Sequence, residues 1–338
     1  MARAVRVAHW CNAGPRLGSA RHDNEMIVKL SECVRERLAL LPIAVTPDRL
    51  FTRDVLGGLQ DPGKVSANGS CRIMRAGDGW VALNLARSDD VDLIPALTAD
   101  LGDDWPTIER FAAARTTDDF VTAAAELQLP ASRLAEARPI RLAQGGPGRP
   151  IRVLDLSALW AGPLCAGLLA KAGAIVVRIQ NLARPDPVAL NSPGLDGWLN
   201  AGKTSLALDL RTLDGRARLL REIGDADVLV TSARANALAR LGVTSALFDH
   251  NLRLIWVAIT AHGWSSDRVG FGDDCAFAGG LVGREGGEPR FMGDALADPL
   301  TGLEAALTAL ESLRTGQFGR LDIPLAGVAA TYARAMAG

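Results

Sequence analysis

Short apolar runs separated by polar, helix-length segments dominate the second half of the chain. Residues 153–156 and 174–179 are two such runs, and they flank a Leu- and Ala-rich segment that starts after Pro163 and stops at Gly173. This order predicts strand, helix and strand within about thirty residues, which is a parallel βαβ unit. Similar apolar runs follow at residues 206–210, 226–231 and 254–259. The alternation predicts an α/β domain with a Rossmann-like, doubly wound parallel sheet over residues 151–338.

The segment before this domain has a different pattern. Apolar runs at residues 71–75 and 80–85 flank Asp78-Gly79, a dipeptide that favours a tight hairpin turn. Helical patterns follow at residues 89–101, 107–114 and 117–127. Together these elements predict a smaller α+β domain over residues 66–140, placed N-terminally.

Two further segments complete the predicted organisation. Residues 1–65 form an N-terminal helical and linker segment, in which apolar positions at helical spacing predict one helix over residues 24–41. Residues 141–150 are rich in Gly and Pro and read as a linker.

Composition and charge narrow the function classes. The chain has 48% hydrophobic and 22% charged residues and a net charge of −1, so no basic field favours nucleic acid or an anionic membrane. No apolar run is long enough for a transmembrane helix, and the N-terminus lacks the pattern of a signal peptide. We therefore expect a cytoplasmic protein with neither a nucleic-acid nor a membrane partner.

The cysteines do not predict a metal site. There are five, widely spaced and without a C-x-x-C pair. Such an odd, unpatterned set argues against a disulfide framework and against zinc, so we expect buried free thiols and no metal.

The βαβ unit locates a candidate site. Ligands of parallel sheets bind at the carboxyl ends of the strands, which directs attention to the loop at residues 157–163. No G-x-G-x-x-G follows the first strand, which argues against a dinucleotide-dependent oxidoreductase.

Four stretches in fixed order carry a family resemblance. They are Val-Leu-Asp-Leu at 153–156 with Ala-Gly-Pro at 161–163, the Asn-to-Leu segment at 200–210, the segment at 225–242, and the segment at 293–310 followed by Thr-Gly at 315–316. This order resembles the family III CoA-transferases, the group of formyl-CoA transferase, carnitine CoA-transferase and alpha-methylacyl-CoA racemase. The resemblance implies a Rossmann-like CoA-binding domain and a homodimer of interlocked chains.

The domain order departs from that of the family. Family members begin with the Rossmann-like part and carry the small domain later, whereas residues 66–140 precede it here. The chain is therefore similar to a circularly permuted member, or to a shortened relic of a duplicated form.

Asp298 matches the catalytic aspartate of the family. The resemblance implies that its carboxylate, ionised at neutral pH because an aspartate titrates near ~3.9, attacks an acyl-CoA thioester and forms a mixed anhydride. A carboxylic acid then accepts the CoA. The competing interpretation is that Asp298 caps the helix beginning at Pro299, and the two roles are compatible because a helix N-terminus stabilises an anion.

Seven residues match places where the family contacts CoA. The basic ones are Arg178, Arg184, Lys203 and Arg240, and the polar or aromatic ones are Trp160, Asn181 and Ser232. The competing interpretation of each basic residue is solvated surface charge. Trp160 replaces a glutamine of formyl-CoA transferase, which puts oxalate-type substrates in doubt.

A racemase or epimerase acting on 2-methylacyl-CoA is the first alternative. The racemases of the family use a histidine in a Gly-His-Asp motif, and residues 272–274 lack one. His262, after a predicted strand, could serve as a base or be a polar loop residue. The second alternative is a non-catalytic CoA-binding member.

Overall fold

The strands form a parallel sheet and two smaller antiparallel ones in the described part of the chain. The computed structural model describes residues 20–51, 62–99, 102–143 and 151–337. The strands are β1 (Cys71–Arg75), β2 (Trp80–Asn84), β3 (Ala131–Arg133), β4 (Arg152–Leu156), β5 (Ile175–Asn181), β6 (Thr204–Leu208), β7 (Val228–Thr231), β8 (Ile255–Thr260), β9 (Gly283–Glu285), β10 (Glu288–Arg290) and β11 (Gly319–Pro324).

Helices flank both faces of the parallel sheet. They are α1 (Ala20–Leu38), α2 (Pro47–Phe51), α3 (Ser88–Asp92), α4 (Ile94–Thr98), α5 (Trp105–Ala113), α6 (Thr117–Glu126), α7 (Ala161–Lys171), α8 (Val188–Asn191), α9 (Pro193–Asn200), α10 (Leu213–Gly224), α11 (Ala235–Arg240), α12 (Leu247–His250), α13 (Gly272–Ala278), α14 (Ala297–Thr315) and α15 (Leu325–Ala337). Among the described residues, none of these helices combines the length and apolarity that crossing a bilayer requires.

The large sheet is parallel throughout, with strand order β11-β8-β7-β4-β5-β6. Its central strands are buried on both faces: every residue of β7, and Ile255 to Ile259 of β8. Burial on both faces explains why these strands read as continuous apolar runs rather than as alternating ones. The predicted Rossmann-like, doubly wound α/β fold is confirmed.

Two cores cover the two faces of this sheet. One joins β4, β7 and β8 to α7, α14 and α15, and α1 also packs into it through Leu30 and Val34. The other lies under α10, α11 and α12 and is centred on Trp256. The helix predicted at 24–41 is present as α1, which begins and ends a few residues earlier.

A buried polar network ties α1 to the last two helices. Arg37 donates to both carboxylate oxygens of Glu304 on α14, at 2.9 and 2.6 Å, and the Tyr332 hydroxyl on α15 donates to Glu304 Oε1 at 2.7 Å. Because Glu304 is buried, these partners compensate a charge that would otherwise be costly.

The smaller sheet, β1-β2-β3, is antiparallel and has a core of its own with α4, α5 and α6. The predicted hairpin over residues 71–85 is confirmed. The single helix predicted at 89–101 is wrong: the chain forms α3 and α4 instead, since Pro95 lacks the N–H that a continuous helix needs. The sheet packs on α13 through Ile73, Ala82 and Phe277.

The predicted domain boundaries remain a prediction. Residues 1–19 and 52–61 of the N-terminal segment and residues 144–150 of the predicted linker lie outside the described part of the chain.

Candidate functional site

The parallel sheet changes winding direction between β4 and β7, and the region outside the carboxyl ends of these two strands is called the crevice below. From β4 the chain continues to β5 and β6 on one side, and from the neighbouring β7 to β8 and β11 on the other. The loops after β4 and β7 meet here, and the Ala158 N–H donates to Ser232 Oγ at 3.0 Å. A Cβ on Gly162 would lie 2.4 Å from Ser157 Oγ, so glycine lets this loop fold over the start of α7. Ligands of open α/β sheets bind at such a point.

The Asp298 carboxylate is half-buried on the first turn of α14. Leu296, not Asp298, is the N-cap, and the Asp298 N–H donates to the carbonyl of Ala295 at 2.9 Å. A Cβ on Gly272 would lie 2.4 Å from Asp298 Oδ2, so the carboxylate rests against the backbone at the start of α13. This position places the carboxylate at the N-terminal, positive end of the α14 dipole.

Close helix packing brings Asp298 to the crevice. One turn after Asp298, a Cβ on Gly302 would lie 2.8 Å from the Ala161 carbonyl oxygen and 2.8 Å from Leu164 Cβ. Glycine therefore lets α14 approach the first turn of α7, which directly follows the loop after β4. The nucleophile candidate and the crevice are neighbours for this reason.

Polar side chains from α13 and from the segment before β1 hold the turn that precedes Asp298. Asp273 Oδ1 accepts the Ala295 N–H at 2.8 Å, and Asn68 donates to Asp273 Oδ2 at 3.1 Å and to Asp294 Oδ1 at 3.4 Å. Ala295 has φ of 46°, in the left-handed region that non-glycine residues rarely adopt. The Asp273 hydrogen bond compensates part of that strain and couples residue 68 to the site.

Three buried ionisable groups lie beside this turn. Burial raises the pKa of Asp274 to about 7, although Asn84 Nδ2 donates to its Oδ1 at 3.0 Å. Burial, with Arg268 adding to it, lowers the pKa of His262 to about 4, so its imidazole is neutral at pH 7. Burial and the nearby carboxylates of Asp274 and Asp298 raise the pKa of Cys275 well above its usual range, which keeps it a thiol.

Three of the predicted CoA residues, Asn181, Arg184 and Ser232, lie at or just after the carboxyl ends of β5 and β7, whereas Arg240 ends α11. Arg184, in the loop after β5, and Arg240, at the end of α11, are exposed. Asn181 ends β5, and its Oδ1 accepts the Ala183 N–H at 3.1 Å. Ser232 follows β7. Trp160 differs from these: it is the N-cap of α7, and its side chain is buried in the core beneath the loop.

The other two predicted basic residues point into the protein. Lys203 Nζ donates to Asp155 Oδ2 at 2.7 Å, to the Pro163 carbonyl at 2.7 Å and to Asn200 Oδ1 at 3.0 Å, which uses its three donors. Arg178 is buried and pairs with Asp186 at 3.4 Å and Asp196 at 3.2 Å. Both cations thus hold loops at the carboxyl edge of the sheet through protein partners.

Sequence reasoning missed the residues that support the site. Asn68, Asn84, Asp273 and Asp274 meet only because the small sheet packs on α13. The sequence did contain one indication. Two adjacent acidic residues, 273 and 274, begin an otherwise apolar helix that has no basic residue. If such carboxylates are buried, they need hydrogen-bond donors from other parts of the chain.

Comparisons with known proteins concern mainly the second half of the chain. The family model for CoA-transferase family III matches residues 149–337. The chain is 32% identical over 198 residues to succinyl-CoA–D-citramalate CoA-transferase of Chloroflexus aurantiacus, covering 52% of this chain and 49% of the relative. It is 30% identical over 204 residues to succinate–glutarate CoA-transferase of Agrobacterium fabrum, covering 53% and 50%.

A crystal structure is also similar. A CaiB/BaiF family protein from Brucella suis aligns with 53% of each chain at 26% identity and a TM-score of 0.49. The chain thus spans about half the length of the curated relatives that it matches.

Proposed function

This chain belongs to CoA-transferase family III, and on that premise we propose that it moves CoA from an acyl-CoA to a carboxylic acid through an anhydride on Asp298. The observation that carries the proposal is the half-buried Asp298 carboxylate beside the crevice of the parallel sheet. A carboxylate that keeps some access to solvent, yet is held against backbone, is reachable by a thioester and partly desolvated. Both conditions favour nucleophilic attack.

The proposed reaction has four balanced steps. An Asp298 oxygen attacks the thioester carbonyl, the C–S bond breaks, and a mixed anhydride and CoA thiolate form. The thiolate attacks the Asp298 carbonyl of the anhydride, which releases the donor acid and leaves an aspartyl-CoA thioester. The acceptor carboxylate attacks that thioester and forms a second anhydride with release of thiolate. The thiolate then attacks the acceptor carbonyl, which yields the new acyl-CoA and free Asp298.

For CoA itself we propose the rim of the crevice. Arg184 is exposed there and suits the phosphates, and Ser232 and Asn181 offer polar contacts. Arg240 is exposed at the end of α11 and is proposed as a second phosphate contact. Trp160 forms the buried base of the loop rather than a free platform. We leave Lys203 and Arg178 out of the CoA set because their donors meet buried or half-buried carboxylates.

We also propose that the smaller sheet and its helices act as a second domain and that the chain works as a homodimer. The Asn68–Asp273 hydrogen bond supports a role of the small domain in the site. Light scattering of the purified chain tests the dimer, and a monomer that is fully active would contradict it.

Hydroxylamine trapping tests the reaction. The protein is incubated with succinyl-CoA and hydroxylamine, with citramalate and glutarate as acceptors in parallel turnover assays. We expect a hydroxamate at position 298, none in Asp298→Ala, and normal trapping in Asp267→Asn, an exposed aspartate after β8. A hydroxamate at Asp294 instead would contradict the assignment.

The same samples distinguish the alternatives. Exchange of the α-proton of a 2-methylacyl-CoA in heavy water, without trapping or transfer, would replace the proposal with a racemase. CoA binding by calorimetry without exchange, trapping or transfer would replace it with a CoA-binding protein.

A further inference from the structure

Three different metal-ligand side chains converge beside α13. His262 follows β8, and Asp274 and Cys275 lie on the first turn of α13. One ligand atom from each lies within 4.8 Å of the other two. Imidazole, carboxylate and thiol in one cluster form a donor set typical of zinc.

The His262 imidazole has a nitrogen with no protein partner. Its Nε2 is buried and accepts or donates no hydrogen bond among the described residues. A buried polar atom without a partner costs free energy, and a bound cation would remove that cost.

The Asp274 carboxylate is held by nitrogen donors on one oxygen and contacts the Cys275 thiol with the other. Its Oδ1 accepts from Asn84 Nδ2 at 3.0 Å and from the Phe271 N–H at 2.8 Å. Its Oδ2 faces Cys275 Sγ at 3.8 Å. Such partners behind a ligand orient it, and this arrangement is typical of metal sites.

Gly270 packs directly against these two ligands. A Cβ at this position would lie 2.7 Å from Cys275 Sγ, 2.8 Å from Asp274 Oδ2 and 2.9 Å from Ala261 Cβ. Gly270 does not have the positive φ that would itself require glycine. Zinc lies about 2.3 Å from thiolate and about 2.0–2.2 Å from carboxylate, so the ligand side chains must move closer together around a bound ion.

We propose that His262, Asp274 and Cys275 form a zinc site. Zn²⁺ binds the His262 nitrogen, one Asp274 oxygen and the Cys275 thiolate, and the thiol proton leaves to solvent. The two anionic ligands neutralise the charge of the ion, which lowers the free-energy cost of burying it. Calcium and magnesium prefer all-oxygen sites, so the thiol and imidazole select against them. The site does not depend on the proposed transferase activity.

The sequence did not indicate this zinc site because its three ligands do not form a known metal-binding motif. His262 lies thirteen positions before Cys275, and neither has a second cysteine or histidine at zinc-finger spacing. The turn of the chain between β8 and α13 brings them together.

Metal analysis and cobalt spectroscopy test the site without reference to activity. The full chain is purified from zinc-supplemented culture, its zinc content is measured, and Co²⁺ is exchanged into it. We expect one zinc per chain, a thiolate-to-cobalt charge-transfer band, and a melting temperature that falls when a chelator removes the metal. Asn84→Ala should weaken zinc binding about 10- to 100-fold, since it frees the carboxylate to rotate.

Matched variants decide the assignment. Cys275→Ser and Gly270→Ala should abolish the band, whereas Cys33→Ser, a half-buried cysteine on α1, should keep it. Circular dichroism identifies any variant that does not fold, and His262→Gln then replaces it. Absence of zinc and of the band in the unmodified chain, or a band that survives Cys275→Ser, would overturn the proposal.

Discussion

Replacing Lys203 with methionine removes the cation from a buried ion pair at the carboxyl edge of the sheet. The Lys203 and Asp155 side chains are both wholly buried, and their charged atoms are 2.7 Å apart. Lys203→Met keeps most of the side-chain volume, so the change isolates the charge and its three hydrogen bonds. Asp155, which also accepts from Ser157, would retain a buried negative charge without its counter-ion.

The expected loss of stability is large. Removing one partner of a buried ion pair costs about 3–5 kcal/mol, because the remaining charge stays desolvated. The Pro163 carbonyl and Asn200 Oδ1 also lose their donor. Lys203→Met should therefore lower the free energy of unfolding by about 3–5 kcal/mol in urea titration. Asp155→Asn added to it should recover part of this loss, since it removes the unpaired charge.

An exposed pair provides the control. Lys64 and Glu288 are 2.6 Å apart, but about half of each side chain is exposed. Lys64→Met should therefore change stability by no more than about 1 kcal/mol. A loss of less than about 1 kcal/mol in Lys203→Met would refute the reasoning. If its KM for acyl-CoA rose while stability stayed unchanged, Lys203 would be a CoA ligand after all.

Three further substitutions test the packing and the site. Gly302→Ala should destabilise the chain by about 1–3 kcal/mol in urea titration, because the new methyl group collides with α7. Tyr332→Phe should cost about 1.5–3 kcal/mol in the same assay, since buried Glu304 loses a hydrogen-bond donor. Asp273→Ala should lower kcat about 100-fold with little change in KM, because the turn carrying Asp298 loses its anchor at the Ala295 N–H.

Each of these three predictions has a control variant or a result that would contradict it. Gly197→Ala, on α9 with no atom near its added methyl group, should be neutral or stabilising by up to about 1 kcal/mol. An unchanged unfolding midpoint in Tyr332→Phe would show that water replaces the hydroxyl at Glu304. Asp273→Asn keeps an acceptor for the Ala295 N–H and should retain most of the activity. Equal loss in both Asp273 variants would indicate a role for its charge rather than for positioning.

The pattern of apolar and polar residues predicted the structure correctly where a residue's burial depends mainly on its own strand or helix. The apolar runs of β4, β7 and β8 are buried on both faces. A continuous apolar run in the sequence is typical of such a strand, so the runs predicted the strands directly. Position 298 was also predictable as part of a helix start, because Pro299 favours the first turn of a helix. The prediction of one helix over residues 89–101 was wrong for a local reason, because Pro95 interrupts the helix in spite of the apolar spacing.

The orientation of charged side chains was not predictable in this way. Lys203 and Arg178 were predicted to contact CoA, and the sequence did not indicate their protein partners: Lys203 pairs with Asp155, forty-eight residues away, and Arg178 with Asp186 and Asp196. A single acidic residue inside an apolar strand signals that a counter-charge is needed. It does not say which cation, out of many, will supply it.

The sequence by itself determined the doubly wound sheet, the helices that cover it and the acidic residue at the start of α14, because periodic burial and helix-terminal chemistry act over a few neighbouring residues. Tertiary structure alone decided which cations turn inward, that Asn68 and Asn84 reach α13, and that His262, Asp274 and Cys275 share one buried space. Those outcomes depend on how distant segments pack, since desolvation and charge pairing are properties of the assembled interior and not of any single segment.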